Sequence, residues 1–111
     1  MKMVVEELPS GVTHIRLDGA LDAKGAGEIE VQFAAVTGNR LKLVIDLGGV
    51  DFLASIGIRT LLSAVKTVNR RGGKLVVADP TEAVAKVLRT CGADGVIPLI
   101  DGLDAAVAAV A

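Results

Sequence analysis

The sequence predicts a single α/β domain built on a mixed β-sheet of four to five strands, opened by a β-hairpin and carrying about four helices. Three observations lead there. A chain of 111 residues with 51% hydrophobic and 23% charged residues suits one ordered core and leaves no room for a second. From residue 23 onward, segments of helical period alternate with short apolar runs, the order expected of parallel β-α units. Ahead of them, two strand-like runs flank Pro9-Ser10-Gly11, a turn composition in which Pro fixes φ and Gly is free to turn positive.

Val4 to Leu8 and Val12 to Leu17 are the two arms of that hairpin, and in the second arm Thr13, Ile15 and Leu17 alternate with His14 and Arg16. One face of this strand is therefore wetter than the other. From Ala23 to about Thr37, Ala26, Ile29, Phe33 and Val36 recur at helical spacing behind Asp22, a suitable N-cap. Gly25 and Gly27 each cost about 1 kcal/mol against Ala inside a helix, which weakens the first turn.

Leu41 to Leu47 is nearly continuous apolar sequence, as in a central strand covered on both faces. Gly48-Gly49 reads as the turn that ends it. A second helix runs from about Ser55 to Arg70, with Ile58, Leu61, Leu62, Val65 and Val68 as its buried stripe, Arg59, Ser63, Lys66 and Arg70 along another face, and Gly72-Gly73 at its end. Lys74 to Ala78 is a third apolar strand. Asp79-Pro80-Thr81-Glu82 then reads as a helix start with Asp at N-cap, Pro at N1 and Glu at N3. Val84, Val87, Leu88 and Cys91 continue that helix to Gly92, Val96 to Ile100 forms a last edge strand around Pro98, and Asp101 caps a terminal helix carrying Leu103, Val107 and Val110.

Composition excludes several functions. Twelve Lys and Arg against thirteen Asp and Glu give a net charge of −1, so there is no global basic field for nucleic acid. Two Phe with no Trp or Tyr make no base-stacking platform. The single Cys91 allows neither an internal disulfide nor a cysteine-built zinc site, and a reducing cytoplasm is the expected location. Met1 to Val5 begins like a signal peptide, but Glu6, Glu7 and Pro9 interrupt it. Mean hydropathy is high at +0.56, yet no apolar run approaches the ~18 residues of a membrane span.

Catalytic constellations are also missing: there is one His, no Gly-x-Ser-x-Gly elbow, no phosphate-binding P-loop and no dinucleotide fingerprint. His14 is expected on the solvent side of its strand, and Cys91 on the buried stripe of its helix. No catalytic, cofactor or metal residue is assigned.

The informative stretch is Asp51-Phe52-Leu53-Ala54-Ser55-Ile56-Gly57-Ile58-Arg59. Ser55 falls where the central strand gives way to a helix, so its hydroxyl can cap the free N–H groups there. Equally, Ile56-Gly57-Ile58 puts no carboxylate at the positive end of the helix dipole, and a phosphate on Ser55 would meet backbone donors and a favourable field. Asp22 and Asp46 supply negative charge if the strand ends converge on this edge. Each is also explicable as a cap or a strand-end residue.

Leu17-Asp18-Gly19-Ala20-Leu21-Asp22, Leu43-Val44-Ile45-Asp46-Leu47 and Val50-Asp51-Phe52-Leu53-Ala54-Ser55-Ile56-Gly57-Ile58 occur in that order, followed by Gly72-Gly73-Lys74-Leu75-Val76-Val77. Together they resemble the Gly-x-Leu-Asp turn, central strand and phosphoacceptor loop of the STAS-domain family of bacterial anti-sigma-factor antagonists. The resemblance covers nearly the whole chain, 1–111 as one STAS domain. It implies a non-enzymatic protein that binds an anti-sigma factor, usually an ATP-dependent serine kinase, and so frees a sigma factor. Phosphorylation of the loop Ser, here Ser55, switches binding off, and a metal-dependent phosphatase restores it. The implied partner surface comprises Asp22, Asp46, Ala54, Ser55, Ile56, Gly57 and Arg59.

Family members often have Asp immediately before the acceptor and Ser or Thr immediately after it, where this chain has Ala54 and Ile56. A second reading is therefore a STAS subunit of a stressosome-type or lipid-transport complex in which Ser55 is only a cap. A third, a small enzyme using Ser55, Asp22 and Asp46, lacks an activated nucleophile.

Overall fold

A computed structural model describes residues 1–111. The hairpin forms as expected, with strand β1 (Lys2–Glu7) antiparallel to β2 (Thr13–Leu21). Three parallel strands follow across the sheet, β3 (Lys42–Leu53), β4 (Lys74–Ala78) and the short β5 (Leu99–Ile100), in the spatial order β1-β2-β3-β4-β5. Helices α1 (Ala23–Asn39), α2 (Ser55–Arg70), α3 (Glu82–Thr90) and α4 (Leu103–Val110) connect and complete them.

Strand alternation divides the interior into two layers. Ile15, Leu17, Leu43, Ile45, Leu75 and Val77 point to one face and meet α1, α2 and α3 in a cluster of 21 buried residues. Val12, Val44, Val76 and Ala78 point to the other, where Ala106 and Val110 of α4 cover them. The sheet is thus closed by three helices on one side and by one short helix on the other.

The largest departure from expectation is β3. It does not end at Leu47; it passes through Gly48-Gly49 and reaches Leu53. Arg16 and Asp18 of β2 face Asp46 and Gly49, while Gly19 and Ala20 face Val50 and Phe52, so β3 holds one extra residue at each of two places. These are β-bulges. They shift the inward positions from steps of two to steps of three, giving Ile45, Leu47, Val50 and Leu53 on the core face. Gly49 is required by contact rather than by a turn: a Cβ there would lie 1.7 Å from Asp18 Oδ1. Because β3 is longer, a single residue, Ala54, links it to α2.

Other ends also move. Thr81, not Asp79, caps α3, accepting from the Val84 N–H at 3.3 Å. Asp79 still belongs to the sheet edge through its N–H to the Ile100 carbonyl, and its carboxylate accepts from the Gly102 N–H at 2.8 Å. Gly102 rather than Asp101 precedes α4. Val96 to Pro98 stay outside β5, with Ile97 buried and Val96 exposed. Cys91 is exposed, because α3 stops at Thr90 and the chain turns at Gly92 with φ +79° before the thiol can join the buried stripe.

The first turn of α1 explains its glycines. A Cβ on Gly25 would sit 2.0 Å from the Ala20 carbonyl oxygen, whereas one on Gly27 would meet nothing within 4 Å. Gly25→Ala is therefore expected to cost about 1–3 kcal/mol through overpacking, while Gly27→Ala gains about 0.5–1 kcal/mol from lost unfolded-state freedom. Urea unfolding of the two variants checks this; equal effects would contradict the close seat of α1 on the end of β2.

Candidate functional site at the start of the second helix

Leu21 pairs with Leu53 at the ends of β2 and β3, and the Ala54 N–H donates to the Leu21 carbonyl at 3.1 Å. The chain leaves both strands within one residue of that bond, so α1 and α2 start side by side at the carboxyl edge of the sheet. Gly57 seats α2 there: a Cβ on it would lie 2.5 Å from the Leu21 carbonyl oxygen and 2.8 Å from Leu53 Cδ1. Its small size serves packing against the strand ends, on the side away from solvent.

The two helix starts differ in charge and capping. At α1, Asp22 is the N-cap and its Oδ1 accepts from the Gly25 N–H at 2.8 Å. At α2 the N-cap is Ala54, no side chain caps the helix, and no acid lies in its first turn. Thr81 and Glu82 supply α3, and Asp104 lies in the first turn of α4. Only α2 lacks both a capping side chain and a carboxylate in its own first turn. The first intrahelical bond runs from the Ile58 N–H to the Ala54 carbonyl, which leaves the amides of Ser55, Ile56 and Gly57 without an intrahelical acceptor.

Ser55 is the first residue of α2 and not its cap. Its side chain is exposed, and its hydroxyl is not spent on the helix it begins. Phe52 on one side and Ile56 on the other are exposed by 56% and 36%, so apolar surface flanks a free hydroxyl. Arg59, one turn further along, is exposed as well. An open groove of about 660 Å³ runs between α1 and α2 with Ile56 and Arg59 at its rim.

Asp46 lies elsewhere. It projects from the α4 face of β3, where its Oδ2 meets His14 Nε2 at 3.1 Å and Arg16 at 3.4 Å, and its Oδ1 accepts from the Gly48 N–H at 2.9 Å. The paired segment of β2, Arg16 to Leu21, spans five steps, which at about 3.3 Å per residue places Asp46 roughly 17 Å from Leu53. Its carboxylate orders the first bulge of β3 and does not reach Ser55. His14 is not on the solvent side: only 12% of its side chain is exposed, against this Asp46. Asp18, and after it Asp46, raise the pKa of Arg16, whose guanidinium bridges the two carboxylates. No three His, Cys, Asp or Glu side chains come together to hold a metal ion, and no helix is long and apolar enough to cross a membrane.

The family model described as the STAS domain matches residues 3–106. The chain belongs to the STAS-domain family. An anti-sigma F factor antagonist of Paenibacillus polymyxa is 28% identical over 93 residues, covering 82% of this chain and 80% of that protein. A crystal structure of an anti-sigma factor antagonist from Mycobacterium paratuberculosis is 29% identical, covers 98% of this chain and 92% of that one, and superposes with a TM-score of 0.89. The phosphorylated form of Bacillus SpoIIAA shares the fold at a TM-score of 0.72 and 18% identity, with 93% of each chain covered.

Within this STAS domain, Asp22, Ala54, Ser55, Ile56 and Gly57 fall at one place and Arg59 one turn beyond, while Asp46 is separated from them. The exposed Phe52 carries no signal of its own in the sequence, because the segment holding it reads as loop until the bulged register of β3 is known. Ala54 also explains the bare helix start, since the Asp that family members often carry there would stand at the N-cap. Ala54→Asp is accordingly expected to stabilise the domain by about 0.5–2 kcal/mol through capping. No rise in the urea midpoint would contradict an uncapped α2.

Proposed function

We propose that this chain is an anti-sigma-factor antagonist: it binds an anti-sigma factor, itself a serine kinase, and so releases a sigma factor, until phosphorylation of Ser55 ends binding. The observation that carries this reading is the exposed hydroxyl of Ser55 at the one helix start with neither a capping side chain nor a carboxylate in its first turn. The names of the relatives support it, as does the occurrence of SpoIIAA in phosphorylated and unphosphorylated forms. The protein acts in the cytoplasm as one STAS unit and as a substrate, with the kinase supplying Mg-ATP and a metal-dependent phosphatase reversing the step.

Ser55, Ala54, Ile56 and Arg59 form the partner surface, with Asp22 at its border and Gly57 holding it against the sheet. A neutral hydroxyl fits an interface with flanking apolar residues. A phosphate adds about −1.5 to −2 charge, which must be desolvated or repelled there. A loss of about 2–4 kcal/mol on binding corresponds to roughly 30- to 900-fold in affinity. The uncapped amides of α2 tolerate the phosphate in the free protein, so the penalty falls on the complex and not on the fold.

Intact-mass and site-mapping mass spectrometry, after incubation with serine-kinase anti-sigma factors of the same genome and Mg-ATP, tests this. One phosphate is expected on Ser55 and none on Ser55→Ala, which keeps its affinity, whereas Ser55→Asp binds more weakly. A kinase that modifies another antagonist and binds this chain, yet leaves Ser55 unmodified, favours the assembly-subunit reading instead.

A further inference from the structure

Between Phe52 and Ala78 the sequence contains Arg59, Lys66, Arg70, Arg71 and Lys74 but no Asp or Glu. All thirteen acids of a chain with net charge −1 lie outside this stretch. Arg71 is exposed but donates to the Thr37 and Arg40 carbonyls. Arg59, Lys66 and Arg70 are exposed on α2, and the ion pairs of the molecule, those of Met1, His14, Arg16 and Arg40, include none of them. Ser55, Arg59, Leu62, Lys66 and Arg70 follow one another at helical spacing along a single face.

The same face carries a depression of about 400 Å³ lined by Ser55, Ile58, Arg59, Leu62, Ser63 and Lys66. Ile58 and Leu62 are half-buried and give it an apolar floor between cations. An ordinary solvated helix gains from opposite charges three or four residues apart. In keeping with that, α1 exposes Lys24 with Glu28 and Glu30, and α3 exposes Glu82 with Lys86 and Arg89. By contrast, α2 places Lys66 and Arg70 four apart with no acid between them, a like-charge arrangement that weakens an isolated helix.

Resting on the function proposed above, we infer that the outer face of α2 docks an acidic, partly apolar segment of the anti-sigma factor. Carboxylates of that segment meet Arg59, Lys66 and Arg70, and an apolar side chain enters between Ile58 and Leu62. The apolar floor and the continuity with Ser55 favour a protein over a nucleic acid, for which the chain has no exposed stacking platform. Arg59 lies one helical turn from Ser55, so a phosphate on Ser55 competes for the first cation of this track. Phosphorylation then weakens docking beyond the contact of the hydroxyl itself.

Calorimetric titration of the anti-sigma factor that modifies Ser55, against wild type, Ser55→Asp and the double variant Lys66→Glu/Arg70→Glu, tests the inference. At about 50 mM salt the double variant is expected to bind roughly ten- to a hundredfold more weakly, and the difference shrinks as salt rises. Lys66→Gln/Arg70→Gln, which keeps the helix and removes the charge, should fall between. Weak binding by Ser55→Asp with unchanged binding by both double variants overturns the track and leaves the phosphoswitch standing.

If no anti-sigma factor binds at all, the proposed function fails, and the surface is tested alone. NMR titration with an amphipathic Leu/Glu helical peptide should then shift Arg59, Leu62 and Lys66 in wild type and not in the double variant; an absence of shifts overturns the inference. Binding to phosphatidylglycerol vesicles or to duplex DNA in place of the peptide, lost in the double variant, overturns it as well.

Discussion

The end of β2 holds both helix starts. The Ala54 N–H bonds the Leu21 carbonyl at 3.1 Å, Gly57 packs its bare Cα on Leu21, and Gly25 packs on Ala20. Both glycine contacts exclude a side chain larger than hydrogen, and in each the nearest atom is a backbone carbonyl oxygen, that of Ala20 for Gly25 and that of Leu21 for Gly57. A hydroxyl on the first residue of α2 is consequently presented at a fixed place beside α1. Ordered presentation lowers the entropy an incoming partner must remove on binding.

That seat depends on the two bulges of β3. Without them, the core-facing alternation of Ile45 and Leu47 would continue in steps of two, Gly49 and Asp51 would replace Val50 on the core face, and Leu21 would stand opposite Asp51 instead of Leu53. The Asp46 carboxylate, bonded to the Gly48 amide and to His14 and Arg16, secures the first bulge, and the space left by Gly49 admits Asp18. A polar cluster on the α4 face thus sets the register of the strand that carries Ser55 on the opposite side. Its influence on the site is positional, through the backbone.

Sequence periodicity read the element order, the hairpin, the two-sided core and the Asp22 cap, because regular alternation and helical spacing survive in those segments. It stopped β3 at Leu47 because Gly48-Gly49 has turn composition, and only the neighbouring Asp18 shows that these glycines make room within a strand. The same failure placed Asp46 beside Ser55. Ser55 itself was located within one position, but a hydroxyl at a helix start reads as a cap until the backbone shows Ala54 in that role. For Asp79 and Cys91, tertiary bonds to Ile100 and Gly102 and the early end of α3 override local patterns that would otherwise continue the helix in both directions.

The central claim is that modification of Ser55 changes what this surface binds while leaving the fold intact. Amide NMR spectra of the protein carrying phosphoserine at position 55, compared with the unmodified chain, test it most directly. Changes are expected only in the first turns of α1 and α2 and along the Arg59 face, with β4, β5 and α4 unmoved. Shifts spread through those strands and α4 would contradict it and point to a switch that works by rearranging the domain.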